Sequence, residues 1–439
     1  MEKNRNEDQV QGEITRVILV GVDDGEDPFF EQSMVELSNL AKACDKQVVG
    51  LLKQKLPKVH TALCMGQGKV EELAELVKLK EADEVIFDNT LSPTQIRNLV
   101  KLLDVAVLDR TNLILDIFWL RAKTKEAKLQ VETAKLKYML PRLVGLHEGL
   151  TRKGGAGGSL SSKGEGEKQL ELDRRRIEQR LSSLRRELKE AEGARAVTRK
   201  KRNLSQIPRV ALVGYTNAGK STIMNRMLRY TKRKQEKEVF EKNMLFATLE
   251  TSVRLIDKGD KRPFFLSDTV GFIHKLPHDL VEAFHATLEE VREADLILHV
   301  VDYSDEYHND HIRVTNETLK EIEASTIPQL MIYNKLDCLE EKEDRNCPSM
   351  IPFAKDDAIY LSAIQEESIQ TMVELIQSKL YAKQRDVVFK IPYESAKIAA
   401  DIQNRCQVSS IEYLEDGIKI HANCDSQICS KYDIYMVEA

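Results

Sequence analysis

The sequence predicts a multidomain α/β protein in four parts: an N-terminal α/β domain, an antiparallel helical hairpin, a P-loop domain on a doubly wound, mainly parallel sheet, and a small C-terminal α+β domain. Three observations predict this. Short apolar runs alternate with helical stretches from residue 14 to about 115. Two long stripes of apolar residues at helical spacing flank a glycine-rich link, and an apolar run, a glycine-rich turn and a helical stretch follow one another at 210–225. At 439 residues the chain is longer than one hydrophobic core usually supports, which agrees with several domains.

The N-terminal domain, 1–115, is read from strands at Val17–Val22, Val48–Leu52, Val85–Phe87 and Val105–Leu108, alternating with helices at Glu31–Ala43, Val70–Leu79 and Ile96–Leu103. That order gives a mainly parallel sheet. Within it, Gly66, Gln67, Gly68 and Lys69 resemble half a phosphate loop, but the spacing is too short for a full cradle. They are read as a turn that caps the helix near Val70.

The hairpin, 116–204, rests on two stripes. Trp119, Ala122, Leu129, Leu136 and Leu140 fall on one side of a helix over Asn112–Leu140, and Leu170, Ile177, Leu181, Leu184, Leu188 and Ala191 on one side of a helix over Gln169–Ala191. The connection Gly145–Gly166 holds eight glycines together with Arg152, Lys153 and Lys163, which predicts a mobile cationic tip. A solvated linker and a polyanion contact both fit such a loop. Arg174, Arg175, Arg176, Arg180, Arg185 and Arg186 load the second helix with guanidinium groups suited to phosphate, although charges also keep a hairpin soluble.

The P-loop domain occupies 205–382. After it, 383–439 carries a strand at Val387–Ile391, a helix at Ala396–Asn404, and strands at Ser410–Leu414 and Ile418–Ala422 joined by the turn residues Glu415, Asp416 and Gly417. Nothing in that last domain suggests catalysis.

Composition narrows the function classes. The net charge of −5 hides a segregation: Arg121–Arg202 holds 23 Lys and Arg against 11 Asp and Glu, a local +12 that leaves −17 for the rest. The middle segment is therefore suited to a polyanion at a localised contact, and the acidic remainder argues against indiscriminate coating of nucleic acid. The charged start Met1–Val10 and the lack of a long apolar run predict a cytoplasmic protein with no membrane span, at most peripherally associated with a membrane. Seven cysteines without a CxxC pair predict reduced thiols rather than a disulfide framework or zinc knuckle.

Four short runs carry the chemistry. GYTNAGKS, from Gly214 through Tyr215, Thr216, Asn217, Ala218, Gly219 and Lys220 to Ser221, lies between the strand-like Val210–Val213 and a helix that opens at Thr222. In that context its backbone N–H groups can turn inward on phosphate oxygens, with the helix N-terminus behind them. Lys220 is placed to reach the β and γ phosphates and Ser221 to hold Mg²⁺. In the second run Asp268 can orient a metal-bound water, and after Thr269 and Val270 the Gly271 N–H can meet the γ-phosphate. In the third, Asn334, Lys335 and Asp337 follow the strand-like Leu330–Tyr333, and the Asp337 carboxylate can accept two hydrogen bonds from guanine N1 and N2. The fourth is Ser362–Ala363, where the Ala363 N–H would meet guanine O6. In this order the four runs imply a GTP/GDP site with Mg²⁺ and slow hydrolysis, because Phe272 stands where many such enzymes carry a water-orienting glutamine. His274 and His278 behind it are better read as solvated residues than as bases.

Beyond these runs, GQGKVEEL at Gly66–Leu73, LSPTQIRNL at Leu91–Leu99, DRTNLILDIF at Asp109–Phe118, LQVETAKLKYMLPRL at Leu129–Leu143, QLELDRRRI at Gln169–Ile177 and DTVGFIHKLPHDLVEAF at Asp268–Phe284 closely resemble the HflX family of ribosome-associated GTPases, over nearly the whole chain. The resemblance implies a P-loop GTPase that binds the large ribosomal subunit and its rRNA, places the hairpin tip near the peptidyl-transferase region and, in some members, splits stalled ribosomes. Arg152, Lys153, Lys163, Arg174, Arg175 and Arg176 are the expected RNA contacts, and a monomer is the expected state. By match to the family's first switch, FATL at Phe246–Leu249 supplies Phe246 to the nucleotide site and Thr248 as the Mg²⁺ and γ-phosphate contact, with Thr251 the alternative. Lys220, Thr248 and Gly271 are thus the expected catalytic groups. Asn217 stands where potassium-stimulated GTPases, which this loop resembles, place a K⁺ ligand, and it also fits a brace within the loop. One departure concerns the tip, where the family's Arg-Gly-Pro-Gly-Glu-Thr-Gln reads KGEGEKQ at Lys163–Gln169, with Glu165 for proline and Lys168 for threonine.

Overall fold

The computed structural model describes residues 14–143, 162–203, 207–231, 246, 251–275, 285–340, 351–382, 384–424 and 426–437. They belong to two compact units, one drawn from 1–195, 244–246 and 274–284, the other from 196–243, 247–273 and 285–439.

In the first unit, β1 (Arg16–Asp23), β2 (Gln47–Lys55), β3 (Glu84–Phe87) and β4 (Ala106–Asp109) alternate with α1 (Phe30–Ala43), α2 (Gln67–Lys80) and α3 (Pro93–Leu103). All four strands are parallel, in the order β2-β1-β3-β4. The apolar run of β1 is buried on both faces, as a central parallel strand must be when helices cover each side. Val20, Leu73, Phe87 and Leu99 are among the residues that close the core. At the start of α3 the Ser92 side chain and Gln95 exchange hydrogen bonds with each other's backbone and Pro93 takes the first turn, a reciprocal cap legible in the run LSPTQ. The GQGK run does what its spacing predicts, with Gly66 preceding the first turn of α2. Because β1 and β3 are neighbours while β2 lies beyond β1, the sheet's winding reverses between β1 and β3, and Asp23 and Asp88 stand at the carboxyl ends of those strands.

The single helix expected over Asn112–Leu140 is two, α4 (Arg110–Arg121) and α5 (Lys125–Met139). Ala122 adopts an extended conformation, and the Thr124 hydroxyl accepts from the Ala127 N–H, so a side-chain cap opens a second helix inside a stripe whose periodicity alone reads as continuous. α4 buries Leu113, Ile114, Leu115, Ile117 and Phe118, whereas Trp119 is 46% exposed with the Lys135 ammonium 5.5 Å from its ring centre. The second hairpin helix, α6 (Ser162–Asn203), is longer at both ends than the expected Gln169–Ala191. Beyond Gly193 no proline or glycine interrupts the chain before Pro208, so the run Arg199–Arg202 continues the helix. Arg180 of α6 donates two hydrogen bonds to the Glu132 carboxylate of α5, at 2.6 and 2.8 Å. Residues 144–161, with Arg152 and Lys153, lie outside the described residues.

The second unit contains a seven-stranded sheet of β5 (Arg209–Gly214), β6 (Ser252–Ile256), β7 (Phe264–Asp268), β8 (Leu296–Asp302), β9 (Gln329–Asn334), β10 (Phe353–Lys355) and β11 (Ala358–Tyr360), in the order β10-β11-β9-β8-β5-β7-β6. β6 and β10 run antiparallel to their neighbours and the other pairings are parallel. Helices α7 (Lys220–Tyr230), α8 (His285–Arg292), α9 (His308–Glu321), α10 (Asp337–Glu340) and α11 (Glu366–Leu380) intervene. Leu212, Ile223, Met227, Leu298, Ile332 and Met372 pack in its core. The C-terminal sheet is antiparallel, with β12 (Arg385–Ile391), β13 (Gln407–Leu414), β14 (Gly417–Cys424) and β15 (Met436–Val437) in the order β13-β14-β12-β15, and α12 (Ala396–Arg405) contributes Ala399 and Ile402 to its core. Leu414 pairs with Gly417, so the foreseen hairpin closes through Glu415 and Asp416. Strand β15 and the short α13 (Ser426–Lys431) were not legible.

Candidate functional site

Strand β5 ends at Gly214, and α7 begins at Lys220, so the glycine-rich run is the link between a buried central strand and a helix N-terminus. Gly219 precedes α7 at φ +100°, and a Cβ there would lie 2.3 Å from the Asn334 amide nitrogen, so only glycine fits. Lys220 is 5% exposed, and its ammonium donates to the carbonyls of Gly214 (3.0 Å) and Tyr215 (2.7 Å). Burial pulls the Lys220 ammonium down to about 8 against the attraction of Asp268, and Lys335 adds to the fall. An anionic phosphate beside it would favour the charged form further. Thr216 is buried, and its hydroxyl has no hydrogen-bond partner among the described residues, which suits a loop built to meet further acceptor oxygens. The Tyr215 ring is stacked on His311 of α9 with centroids 3.8 Å apart. Asn217 is exposed at φ +62°.

The structure brings the second run to the first. The Ser221 hydroxyl donates to Asp268 Oδ2 at 2.7 Å, so two of the three expected Mg²⁺ ligands already share one place. Hydroxyl and carboxylate oxygens suit a hard cation. The third, Thr248, lies outside the described residues; Thr251, the alternative, is partly buried just before β6. Thr269 donates from its hydroxyl to the Leu212 carbonyl (2.6 Å) and is fully buried, while Val270 is nearly so. Phe272 is buried and its backbone is joined to the glycine-rich loop, where it accepts from the Thr216 N–H (2.8 Å) and donates to the Gly214 carbonyl (3.1 Å).

The base-reading runs are stitched to the same loop. The Asn334 side chain donates to the Ala218 carbonyl and accepts from the Ala363 N–H, both at 2.9 Å. The Ser362 hydroxyl donates to Asp337 Oδ1 at 2.5 Å, which orients the carboxylate assigned to the base. The Lys335 ammonium is held by Asp302 of β8 at 2.7 Å. Asp302 escaped the sequence reading, although its place at the end of the apolar run Leu296–Val301 marks a strand end where binding residues cluster. His299, on the same strand, is also new: burial pushes its imidazole down to about 4, helped by the Lys220 charge and opposed by a hydrogen bond with Gln329.

Phe246 belongs to the first unit and packs edge-on against Phe118, with ring centres 4.7 Å apart. Of the arginines expected to meet RNA, Arg174 pairs with Glu178 (2.9 Å), Arg175 with Glu171 (2.6 Å) and Arg176 with Asp173 (3.2 Å), all on α6 and all exposed. Such surface pairs are weak and exchange readily for a phosphate. The Lys163 side chain lies outside the described residues.

A phosphate loop, a paired hydroxyl and carboxylate for a divalent cation, and an Asn-Lys-x-Asp run at the ends of parallel strands define a guanine-nucleotide-binding P-loop GTPase. Family models described as GTP-binding GTPase N-terminal, GTP-binding GTPase Middle Region and 50S ribosome-binding GTPase match residues 31–119, 121–202 and 209–335. The chain is 40% identical to the GTPase HflX of Caldanaerobacter subterraneus subsp. tengcongensis, over 94% of this chain and 92% of that protein, and 45% identical to the GTPase HflX of Alkalihalophilus pseudofirmus, over 85% of each. A crystal structure of SsGBP with GDP is 26% identical, with a TM-score of 0.42 over 84% of this chain and 98% of that one. The chain belongs to the HflX family of GTPases.

Proposed function

We propose that this GTPase binds the large ribosomal subunit in a nucleotide-dependent way and acts there in dissociating stalled or idle ribosomes or in maturing the subunit. The observation that carries the reading is the segregation of charge, +12 between Arg121 and Arg202 in a chain of net −5, on a segment that precedes a guanine-nucleotide site. The description of the family model over 209–335 as a 50S ribosome-binding GTPase supports it. In this reading 1–115, 116–204, 205–382 and 383–439 act as four domains of a cytoplasmic monomer, and Arg152, Lys153, Lys163, Arg174, Arg175 and Arg176 face rRNA phosphates. Among the described residues no helix is long and apolar enough to cross a membrane.

The residues at the site fit GTP hydrolysis by positioning and charge stabilisation. Ser221 and Asp268, joined by Thr248, would hold Mg²⁺, which supplies positive charge to the β- and γ-phosphate oxygens. Lys220 exchanges its two carbonyl partners for those oxygens, the Gly271 N–H meets the γ-phosphate, and Asp337 with Ala363 selects guanine over adenine. With Phe272 buried at the position after Gly271, no side chain there can hold the attacking water, so unstimulated turnover is slow. Asn217 is exposed in the loop and stands as a K⁺ ligand in this reading; equal turnover in K⁺ and Na⁺ would remove it from that role. The buried Phe272 also favours a second reading, in which GTP switches ribosome affinity and hydrolysis is only a reset.

Co-sedimentation with separated ribosomal subunits tests both. Pelleting with large subunits in the presence of a non-hydrolysable GTP analogue but not GDP supports ribosome binding, and equal pelleting with both overturns the nucleotide switch. Stimulation of turnover by large subunits separates the first reading from the second.

A further inference from the structure

Thr216, the third residue of GYTNAGKS, is 6% exposed, and its hydroxyl has no hydrogen-bond partner among the described residues. Burying a hydroxyl without a partner is costly, so the group points to one that arrives with the ligand. Valine would fill the same space without that cost. The neighbours identify the partner. The Thr216 N–H donates to the Phe272 carbonyl at 2.8 Å, and the Phe272 N–H donates to the Gly214 carbonyl at 3.1 Å. These two bonds pin the backbone of the glycine-rich loop to the segment that carries Asp268 and Gly271, and all of these residues lie in the second compact unit.

The side chain is placed as firmly as its backbone. A Cβ built on Gly271 would stand 2.8 Å from both Cα and Cγ2 of Thr216 and 3.0 Å from the Lys220 ammonium. Thr216, Lys220 and Gly271 thus meet at one point, and the latter two are the groups read above as γ-phosphate contacts. Branching at Cβ leaves threonine few χ1 positions, so a methyl held against Gly271 fixes the hydroxyl beside the same place. A hydroxyl both donates and accepts, which suits a position between a phosphoryl oxygen and a water. Its neighbours do not: the Lys220 ammonium carries donors only, Gly271 offers only its backbone, and the Phe272 ring is apolar.

We propose that Thr216 is a catalytic residue of this GTPase: its hydroxyl donates to a γ-phosphoryl oxygen and accepts from the attacking water, which it aims at the γ-phosphorus in place of the side chain that Phe272 lacks. This rests on the reading of Lys220 and Gly271 as γ-phosphate contacts. In the step, the water oxygen bonds to the γ-phosphorus as the bond to the β–γ bridging oxygen breaks. The bridging oxygen leaves on GDP with the electron pair, and the proton lost by the water ends on the released phosphate. Thr216 itself neither gains nor loses a proton. One neutral hydroxyl gives a modest acceleration, in keeping with slow unstimulated turnover.

The test uses the full chain and compares Thr216→Val, Thr216→Ala and Thr216→Ser with the native protein. Two quantities are read: single-turnover GTP hydrolysis at saturating nucleotide, and equilibrium affinity for GDP with and without aluminium fluoride, which completes a mimic of the transition state. Thr216→Val keeps the branched shape and lacks the hydroxyl. Its turnover should fall about tenfold, the worth of one hydrogen bond made in the transition state, and the gain in affinity from aluminium fluoride should fall with it. GDP affinity should stay close to native, because GDP brings neither the γ-phosphoryl group nor the water. Thr216→Ala should behave like Thr216→Val, and Thr216→Ser should recover most of the lost turnover. Native turnover in Thr216→Val overturns the proposal. So does an equal loss in Thr216→Ser, which would place the effect on the methyl, or a matching loss of GDP affinity in both Thr216→Val and Thr216→Ala, which would make the hydroxyl a structural part of the loop. Failure of the native protein to bind guanine nucleotide would instead overturn the site reading, and the proposal with it.

Discussion

His299 shows how the nucleotide site constrains its own surroundings. It lies on a central strand and is buried, and its imidazole is neutral near pH 7 because burial pushes it down to about 4 from an ordinary 6.5. Between those values the unfolded chain binds a proton that the folded one refuses, so stability is intact above about pH 6.5 and falls as the pH drops towards 4. By pH 5 the loss from this one group should be about 2 kcal/mol. Denaturant midpoints at pH 7 and pH 5 check it, and His299→Gln should flatten the difference. No motif pointed to His299, since a histidine inside an apolar run reads as a strand residue until its burial is known. The loop residues Gly214–Ser221, Asp268 and Asn334 were legible because their chemistry demands fixed residue types at fixed spacing. Asp302 was not, because its partner Lys335 is distant in sequence, and only the fold supplies the pairing.

At the level of elements, periodicity located α5 and α6 but not their ends. The break at Ala122–Thr124 is set by one hydroxyl that caps Ala127, and the extension of α6 by an absence of breakers, and neither alters an apolar stripe. The sheets were easier: the alternation of strand and helix in 14–115 leaves few arrangements besides a parallel sheet. On α6, Arg174, Arg175 and Arg176 spend their charge on acidic neighbours of the same helix. If they exchange those partners for rRNA phosphates, each exchange releases counterions. Replacing all three by alanine should weaken binding to large subunits and flatten the plot of log affinity against log salt by about 2. An unchanged slope would show that these arginines only keep the helix soluble.

For the whole molecule, the chain divides into two compact units, and a ligand of one need not stabilise the other. GDP at about 100 times its dissociation constant should stabilise the nucleotide-binding unit by about 2.7 kcal/mol. Calorimetry should then show the transition of that unit rising by roughly 5–10 °C, with the other transition left where it was. A single transition that moves as one would show that the units unfold together. The division was not legible in the sequence, because Phe246 lies within the FATL motif yet belongs to the first unit. The chain's one tryptophan also has a use at this scale. Trp119 sits in α4, half in water beneath the Lys135 ammonium, and no other indole competes with its emission. Its fluorescence is thus a private optical window on the first unit: a colour change on adding guanine nucleotide would be news carried from the other half of the molecule, recorded without a label.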